Sequence, residues 1–381
     1  MAEISIWEKE TYFSRQDVII VGSGFTGLWS AFHLKMINPH YKITILERGV
    51  IPTGASTRNA GFSCFGSPSE LLADARSMGE QAMWKLVDRR FRGLQMIRDF
   101  FLPEDINYDP SGGYECFRAH DPHWEECSDN INWLNDELLN ITGEKDVFEV
   151  ADKKLSTFGF NGFAHIIENR LEAGLHPAKL VLALLAKVQQ LGVQVLTGIE
   201  VQAYAESGEM VSLETTQGFS FTTKQLLLCT NAFTPDIVPA IDIIPNRGQI
   251  LVTSVINNLP FKGTFHFDQG YYYFRNLNNR LLLGGARNAS FDTEHTSDMM
   301  STQVIQYRLE QFARDYILPG VDFTITDRWT GIMAMGNEKS PIVEALSSRV
   351  YCCVRMSGMG VALAPLVAKE ITTFMHQRFK V

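Results

Sequence analysis

Short apolar runs along the chain alternate with stretches in which apolar residues recur every three or four positions. This pattern predicts strands that alternate with helices. The first run, residues 18–21, leads at once into a glycine-rich turn and a helical pattern that extends to about residue 35. A second run, residues 42–47 (KITILE), ends at Glu47. The first fifty residues therefore predict a strand, a tight turn, a helix and a second strand.

The turn has the spacing of a dinucleotide-binding fingerprint, with glycines at Gly22, Gly24 and Gly27. In such a turn the first glycine permits the tight bend, the second lets the backbone approach a pyrophosphate, and the third lets helix and strand pack closely. Glu47 follows Gly27 by 20 residues, where a carboxylate accepts hydrogen bonds from ribose hydroxyls and repels a 2′-phosphate. The pattern predicts a dinucleotide other than NADP and leaves open whether it is a flavin or a nicotinamide.

Later segments of the chain predict further strands and a helix of the same α/β unit, separated by segments of a different pattern. A polar loop occupies residues 52–66, which suits a large resident cofactor better than a nicotinamide. A helix over 176–191 and buried strands over 193–196, 226–229 and 350–355 belong with the first unit. Residues 248–285 are rich in strand formers, and Asn278-Asn279 predicts a hairpin turn between two of these strands. We predict a dinucleotide domain over 12–90, 165–238 and 327–381, interleaved with a substrate domain over 91–164 and 239–326.

Composition narrows the function classes. The 381-residue chain carries a net charge of −9, which argues against a nucleic-acid partner, and its longest apolar run is too short for a membrane span. The first residues contain no continuous apolar core of the kind found in a signal peptide. Six cysteines lack the spacing of a disulfide framework, so we expect a reduced, cytoplasmic protein. His120 and His123 lack a third fixed ligand, and we predict no metal site.

The order of these motifs resembles the FAD-dependent D-amino-acid-oxidase superfamily over nearly the whole chain. The sequence motifs on which this resemblance rests are DVIIVGSGFTGLWSAFHL, ILERG, GASTRNAGF, GLHPAKLVLALL, CTNAFTP, PNRGQ, YYYFRN, RLLLGGA, WTGI and RMSGMGVALAP. GASTRNAGF is most similar to the γ-glutamylputrescine oxidase branch. The resemblance implies an α/β fold, with a Rossmann-type FAD-binding domain interleaved with a second α+β substrate domain on a largely antiparallel sheet.

The resemblance also implies which residues hold the cofactor. The glycine turn would bind the pyrophosphate, Glu47 the adenosine ribose, the Val201 backbone the adenine, and the start of the last helix the pyrimidine edge of the flavin. The full implied set is Gly22, Gly24, Gly27, Glu47, Arg48, Ser56, Thr57, Arg58, Asn59, Ala60, Gly61, Val201, Thr230, Asn231, Gly331, Gly358, Met359 and Gly360. Related enzymes attach flavin through a histidine or a cysteine at positions that are Asn59 and Ala334 here, so non-covalent FAD is expected.

The residues expected to bind the substrate differ from those of glycine and D-amino-acid oxidases. The arginine that clamps the substrate carboxylate in glycine and D-amino-acid oxidases is replaced by Met333. Strand alternation places Tyr271, Tyr273 and Arg275 on one face, and we predict that these three form the catalytic face, with Arg275 as the clamp. Arg287 is the second candidate for that clamp. Arg355 stands where the family has a small residue, either as a cation near the flavin or as a surface side chain.

The resemblance implies oxidation of the C–N bond of an amine or amino acid, by hydride transfer to flavin N5 followed by hydrolysis of the imine. Two alternatives remain at the level of sequence. The first is a dehydrogenase that passes electrons to a quinone or an electron-acceptor protein, and the second is a non-catalytic FAD-binding regulatory or assembly protein. The predicted partner in either enzyme is a small-molecule amine or amino acid.

Overall fold

The computed structural model describes residues 3–379 of the chain. The strands are β1 Gln16–Val21, β2 Ile43–Glu47, β3 Phe62–Ser63, β4 Gly113–Arg118, β5 Phe148–Val150, β6 Phe163–Asn169, β7 Ala173–Gly174, β8 Gln194–Thr197, β9 Val201–Ser207, β10 Met210–Thr215, β11 Ser220–Leu228, β12 Ile244–Thr253, β13 Thr264–Phe267, β14 Tyr272–Asn276, β15 Leu281–Gly285, β16 Ile325–Met335, β17 Ile342–Ala345 and β18 Val350–Val354. The helices are α1 Ile6–Thr11, α2 Phe25–Ile37, α3 Ala55–Arg58, α4 Pro68–Met78, α5 Glu80–Phe100, α6 Pro103–Ile106, α7 Pro122–Thr142, α8 Leu155–Phe158, α9 Pro177–Gln190, α10 Phe291–Glu294, α11 Gln303–Phe312 and α12 Gly360–Phe379.

The first compact unit comprises residues 3–57, 178–245 and 333–379. Its sheet has the order β17-β18-β11-β1-β2-β8, with parallel pairing from β18 to β8 and antiparallel pairing of β17. An antiparallel extension, β9-β10, continues from β11. The central strand β1 is apolar on both faces, as expected for a parallel strand covered on both sides. The predicted Rossmann-type domain is confirmed.

The second unit comprises residues 58–177 and 246–332. Its eight-stranded sheet has the order β16-β12-β15-β14-β13-β4-β6-β5, and the β4–β13 pair is parallel whereas the other resolved pairs are antiparallel. One face of this sheet is covered by α11 through an aromatic core in which Phe265 and Phe274 stack with ring centroids 4.8 Å apart. The predicted α+β unit on a largely antiparallel sheet is confirmed.

The division between the units differs from the predicted boundaries at residues 90 and 164. The chain crosses from the first unit to the second at 57/58 and returns at 177/178. The helices α4 and α5 lie in the second unit because both pack against α7, and α7 in turn packs on β5 of the second sheet. Residues 103–130 look irregular in sequence, yet they contain β4 and the start of α7, whose apolar face is narrow.

Two local predictions can be compared with the structure directly. Asn278 and Asn279 both have positive φ, 52° and 61°, and Leu277 and Arg280 exchange backbone hydrogen bonds across them, which is the predicted hairpin turn. All six cysteines are buried and free of disulfides. Within residues 3–379, every helix is too short or too polar to cross a membrane.

The helices α2 and α12 pack against one another beneath the parallel sheet, and His33 lies in their contact. Its Nε2 is 3.0 Å from the carbonyl oxygen of Pro365, and its ring stacks on Trp29. Burial lowers the pKa of His33 from 6.5 to about 4, and the nearby charge of Lys369 acts in the same direction. The folded protein therefore holds this imidazole neutral well below the pH at which an unfolded histidine takes up a proton.

We predict that His33 makes the protein less stable in acid. Below pH 6.5 the unfolded chain binds a proton that the folded chain does not, so the free energy of unfolding falls as the pH falls toward 4, by about 2 kcal/mol at pH 5. His33→Gln, whose amide can still donate to the Pro365 carbonyl, removes this contribution. The measurement is the difference in thermal midpoint between wild type and variant from pH 7 to pH 5. Parallel pH curves for the two proteins would contradict the assignment.

Candidate functional site

The glycine turn after β1 tolerates no side chain at two of its three glycines. Gly22 has a φ of 102°, and a Cβ there would lie 2.8 Å from the carbonyl oxygen of Cys229. A Cβ on Gly27 would overlap the carbonyl oxygen of Gly22. Gly24 precedes α2, and a Cβ there would lie 2.9 Å from Ser56 Oγ. The turn is thus closed on its inner side by backbone and open only where the backbone amides of α2 begin.

These amides form an anion-binding cradle. The Phe25 N–H donates to Ser56 Oγ at 2.9 Å, so a side chain distant in sequence takes up one donor of the first turn. The N–H groups of Gly24, Thr26 and Gly27 have no acceptor among residues 3–379. Free N–H groups at the positive end of a helix dipole bind phosphate oxygens. This part of the unit can therefore hold a pyrophosphate.

Glu47, at the end of β2, is buried beside this cradle. Its Oε2 accepts from the backbone N–H and the hydroxyl of Ser23, at 3.0 and 2.7 Å, and its Oε1 accepts from the Gly49 N–H at 2.9 Å. The Glu47 carbonyl accepts from Ile199 N–H at 2.9 Å, which brings the start of β9 at Val201 to the same end of the sheet. A carboxylate oriented by three donors retains lone pairs for ribose hydroxyls.

A second turn with free amides precedes α12. Ser357 and Gly358 both have positive φ, 46° and 80°. The N–H groups of Gly358, Gly360 and Val361 have no acceptor among residues 3–379, and the buried Ser357 Oγ also has no hydrogen-bond partner there. The Met359 N–H instead donates to Met356 O at 2.8 Å. The start of this 20-residue helix can stabilise negative charge on a bound group.

Arg355 is part of the architecture of this turn and is not a surface side chain. It is 6% exposed, and its guanidinium donates to the carboxylate of Asp242 and, at 2.9 Å, to the Ser340 carbonyl. Its own N–H donates to Asn231 Oδ1 at 3.2 Å, and both residues have positive φ. Thr230, which precedes Asn231 in the chain, forms a hydrogen bond between its hydroxyl and that of Thr234, at 2.9 Å. Of the two alternatives for Arg355, the surface side chain is therefore wrong, and Asp242 pairs with the buried guanidinium.

The remaining residues implied for cofactor binding are divided between the two units. In the first unit, Arg48 is exposed with its guanidinium 3.7 Å from the Phe233 ring centre, and Thr57 donates to the Pro52 carbonyl at 2.7 Å. In the second unit, Arg58 lies against β16. The Trp329 indole donates to the Arg58 carbonyl at 2.9 Å, and a Cβ on Gly331 would come within 3.2 Å of Arg58 Cβ.

Arg275, on β14 of the second unit, is a buried cation without an ion-pair partner. Its Nη1 donates to the carbonyl oxygens of Gly61 and Leu175, at 2.7 and 3.0 Å. Its guanidinium lies against the backbone of Gly174, where a Cβ would be 2.8 Å from Cζ. Burial lowers the pKa of Arg275, and Asp109 acts in the opposite direction without forming an ion pair. Its Nε and Nη2 have no acceptor among residues 3–379.

The other buried arginines differ from Arg275 in this respect. Arg90 lies 3.8 Å from Asp74, Arg247 lies 2.9 Å from Glu294, and Arg355 pairs with Asp242. Across residues 3–379, Arg275 is the buried arginine that lacks a carboxylate within 4 Å. Burial of an unpaired charge is costly. An anionic ligand at the free edge of the guanidinium would compensate for that cost.

The two tyrosines predicted with Arg275 differ in their placement. Tyr273 shares a face of β14 with Arg275, lies over Gly284 of the neighbouring strand, and packs with Ala60 and Trp329 on a small apolar cluster. Burial raises the pKa of Tyr273 to about 12. Tyr271 precedes β14 and packs edge-on against Phe291.

The loop residues Asn59 and Gly61 and the alternative arginine also have defined contacts. Asn59 Oδ1 accepts from the Gly61 N–H at 2.9 Å and so fixes the bend whose carbonyl Arg275 holds. Arg287 lies over the rings of Tyr271 and Phe291, 5.1 and 5.4 Å from their centres. Arg275 is therefore held by backbone carbonyls, whereas Arg287 packs on aromatic rings.

A parallel sheet with a glycine turn, an acidic strand end and two helix starts with free amides defines a dinucleotide-binding protein of the Rossmann class. Comparison with protein families identifies it further. Residues 17–373 match the model of the FAD-dependent oxidoreductase family, DAO, and the chain belongs to that family. FAD is accordingly its cofactor, and the protein is an oxidoreductase.

Several named proteins are similar to most of the chain. The chain is 23% identical over 373 residues to the probable oxidoreductase OrdL of Rhizobium meliloti (strain 1021), covering 93% of this chain and 82% of that protein. It is 24% identical over 384 residues to the gamma-glutamylputrescine oxidoreductase of Escherichia coli (strain K12), covering 94% and 83%. The glycine oxidase of Geobacillus kaustophilus has the same fold, with a TM-score of 0.77, 18% identity and 95% coverage of both chains.

We predict that Gly24→Ala weakens FAD binding. The added Cβ would displace Ser56 Oγ and crowd the free amides of Gly24 and Thr26, and we expect a roughly tenfold or larger increase in the Kd for FAD, equivalent to about 1.4 kcal/mol. Gly54→Ala is the matched control, because a Cβ at this exposed loop glycine meets nothing within 4 Å. The measurement is the flavin-to-protein ratio after purification, followed by titration of stripped protein with FAD. Equal affinity in both variants would refute the cradle.

Proposed function

We propose that this protein oxidises the C–N bond of an amine that carries a carboxylate, an amino acid or a derivative of one, and that Arg275 binds the carboxylate. The observation that carries the proposal is the unpaired buried guanidinium of Arg275 in a family of FAD-dependent oxidoreductases. A cation already desolvated by the fold gains most from an anionic partner, because the cost of burying the arginine has been met during folding. Two parallel N–H groups match the two oxygens of a carboxylate.

We propose that the cofactor is bound by the two sets of free amides in the first unit. Gly24, Thr26 and Gly27 hold the pyrophosphate, and Glu47 accepts from the ribose hydroxyls. The start of α12, at Gly358 and Gly360, would stabilise the negative charge of a reduced flavin. Asn59 and Ala334 offer no nucleophile for attachment, which supports non-covalent FAD.

When bound, FAD would supply an acceptor for a hydride from the carbon next to the amine, and water would then hydrolyse the imine product. The contribution of the protein is then to orient that C–H bond and to exclude other geometries. Arg275 fixes the carboxylate end of the substrate, and Tyr273, on the same face of β14, supplies an adjoining wall. The Tyr273 hydroxyl is protonated at neutral pH, and burial moves its pKa further from that range, so it can act as a hydrogen-bond donor and not as a base.

The electron acceptor is a separate question. The fold is equally similar to that of the L-proline dehydrogenase of P. horikoshii and that of a glycine oxidase, with a TM-score of 0.77 in both comparisons. At 16 and 18% sequence identity, these similarities show the fold alone. The rate of oxygen consumption relative to the rate with an artificial acceptor distinguishes an oxidase from a dehydrogenase.

The six cysteines of the protein are buried and form no disulfide bond, which supports a reducing compartment such as the cytoplasm.

We predict that Arg275→Gln selectively impairs substrates with a carboxylate. Loss of a desolvated charge pair should reduce kcat/KM for an amino-acid substrate roughly 100-fold or more, whereas oxidation of the corresponding decarboxylated amine should change little. Because Arg275 also holds the Gly61 carbonyl, flavin content must be measured for each variant. Arg275→Lys, which keeps the charge, should recover part of the loss.

Arg280→Gln is the matched control on the same hairpin, since Arg280 lies 3.7 Å from Asp327 with its side chain 40% exposed. A binding assay supplements the kinetics: acetate should perturb the flavin spectrum of wild type and of Arg280→Gln, but not that of Arg275→Gln. An Arg275→Gln protein that keeps its flavin and wild-type kcat/KM would overturn the carboxylate assignment.

A further inference from the structure

Three metal-ligating side chains meet in the interior of the second unit. Cys64 directly follows β3, and Glu172 directly precedes β7. Because Ser63 pairs with Ala173 in this antiparallel pair, Cys64 and Glu172 lie opposite each other at the next position. His266 comes from β13 of the main sheet. One ligand atom from each of the three lies within 4.8 Å of the other two, and all three side chains are buried. Backbone pairing, and not a flexible loop, sets their separation.

Existing contacts fix two of these groups and leave further ligand atoms unused. Glu172 Oε1 is 2.6 Å from His266 Nε2 and accepts from the Thr264 hydroxyl at 2.7 Å. Glu172 Oε2 and the Cys64 thiol have no hydrogen-bond partner among residues 3–379. Gly113 provides the room for the carboxylate, because a Cβ there would overlap Glu172 Cδ. The cluster thus contains an oriented carboxylate with a free oxygen next to an unpartnered thiol.

We propose that Cys64, Glu172 and His266 form a binding site for a divalent cation of the zinc type. Sulfur and imidazole ligands favour Zn²⁺ over the hard cations Mg²⁺ and Ca²⁺. Three protein ligands leave a fourth tetrahedral position for water or another oxygen. The site lies under the face of the sheet that carries Tyr273, since His266 and Tyr273 are directly opposed on β13 and β14.

Charge supports this assignment. With the cation bound, a thiolate, a carboxylate and a neutral imidazole carry a total of two negative charges, which a divalent cation neutralises.

The His266–Glu172 pair needs only a small movement to coordinate one cation. With Zn–N and Zn–O bonds of about 2.0 Å and a tetrahedral angle, the His266 nitrogen and the Glu172 oxygen would be about 3.3 Å apart, compared with 2.6 Å in their hydrogen bond. A bound cation would link the ends of β3 and β7 to β13 and so stabilise the β3–β7 pair next to the Gly61 bend.

The test uses the flavin-loaded protein without an affinity tag, treated with a chelator and then titrated with Zn²⁺ in a calorimeter. We expect one tight equivalent and a higher thermal midpoint, because a ligand that binds only the folded state stabilises it. Co²⁺ provides an independent signal, since a tetrahedral cobalt thiolate has ligand-field bands at wavelengths beyond the flavin absorption.

The variants Cys64→Ala and Glu172→Gln should each abolish the tight equivalent and the cobalt bands. Cys127→Ala is the matched control, because Cys127 is a fully buried thiol on α7 outside the cluster, and it should bind like wild type. If Cys64→Ala does not fold, Glu172→Gln, which keeps the shape of the side chain, provides the same comparison. Absence of a tight equivalent in wild type, or its persistence in both cluster variants, would leave a histidine–glutamate ion pair and overturn the proposal.

Discussion

The hydrogen bonds from Arg275 Nη1 to the carbonyls of Gly61 and Leu175 determine how the second unit is organised around its candidate site. These bonds connect β14 to the bend before β3 and to the segment after β7, and β3 and β7 are two-residue strands that pair with each other. Because neutral carbonyls are the partners, the guanidinium is held in place without being neutralised. The same arrangement therefore fixes the geometry of the bend and leaves a buried positive charge for a ligand.

In the first unit the corresponding constraint is the absence of side chains at the glycine turn. Gly22 and Gly27 cannot carry a Cβ, and their close contact brings β1 and α2 together so that several amides of α2 remain free. The start of α12 repeats this device through Gly358 and the strained Asn231–Arg355 pair. We propose that both helix starts offer positive ends to the anionic cofactor. The guanidinium of Arg355 holds the second turn together through Asp242 and the Ser340 carbonyl.

Local features of this protein could be predicted from the sequence, whereas long-range polar partnerships could not. The glycine spacing, the acid at Glu47 and the alternation that pairs Tyr273 with Arg275 all follow from the periods of helices and strands, which act over a few residues. The cap that Ser56 provides for α2, the neutralisation of Arg355 by Asp242 and the cluster of Cys64, Glu172 and His266 join residues that lie 31 to 202 positions apart. No local pattern marks such pairs. The helix α7 also could not be predicted from its apolar pattern, because only three of its 21 residues are buried and most of the others are polar.

The central claim is that the protein selects amines that carry a carboxylate. The most direct measurement is the anaerobic reduction of the bound flavin by a panel of matched pairs, each an amino acid and its decarboxylated amine, followed as bleaching of the visible flavin band. The account predicts that one or more amino acids bleach the flavin rapidly and that their decarboxylated partners do so at least about 100-fold more slowly at the same concentration. Equal or faster bleaching by the decarboxylated amines would contradict it, as would a flavin that no member of the panel reduces.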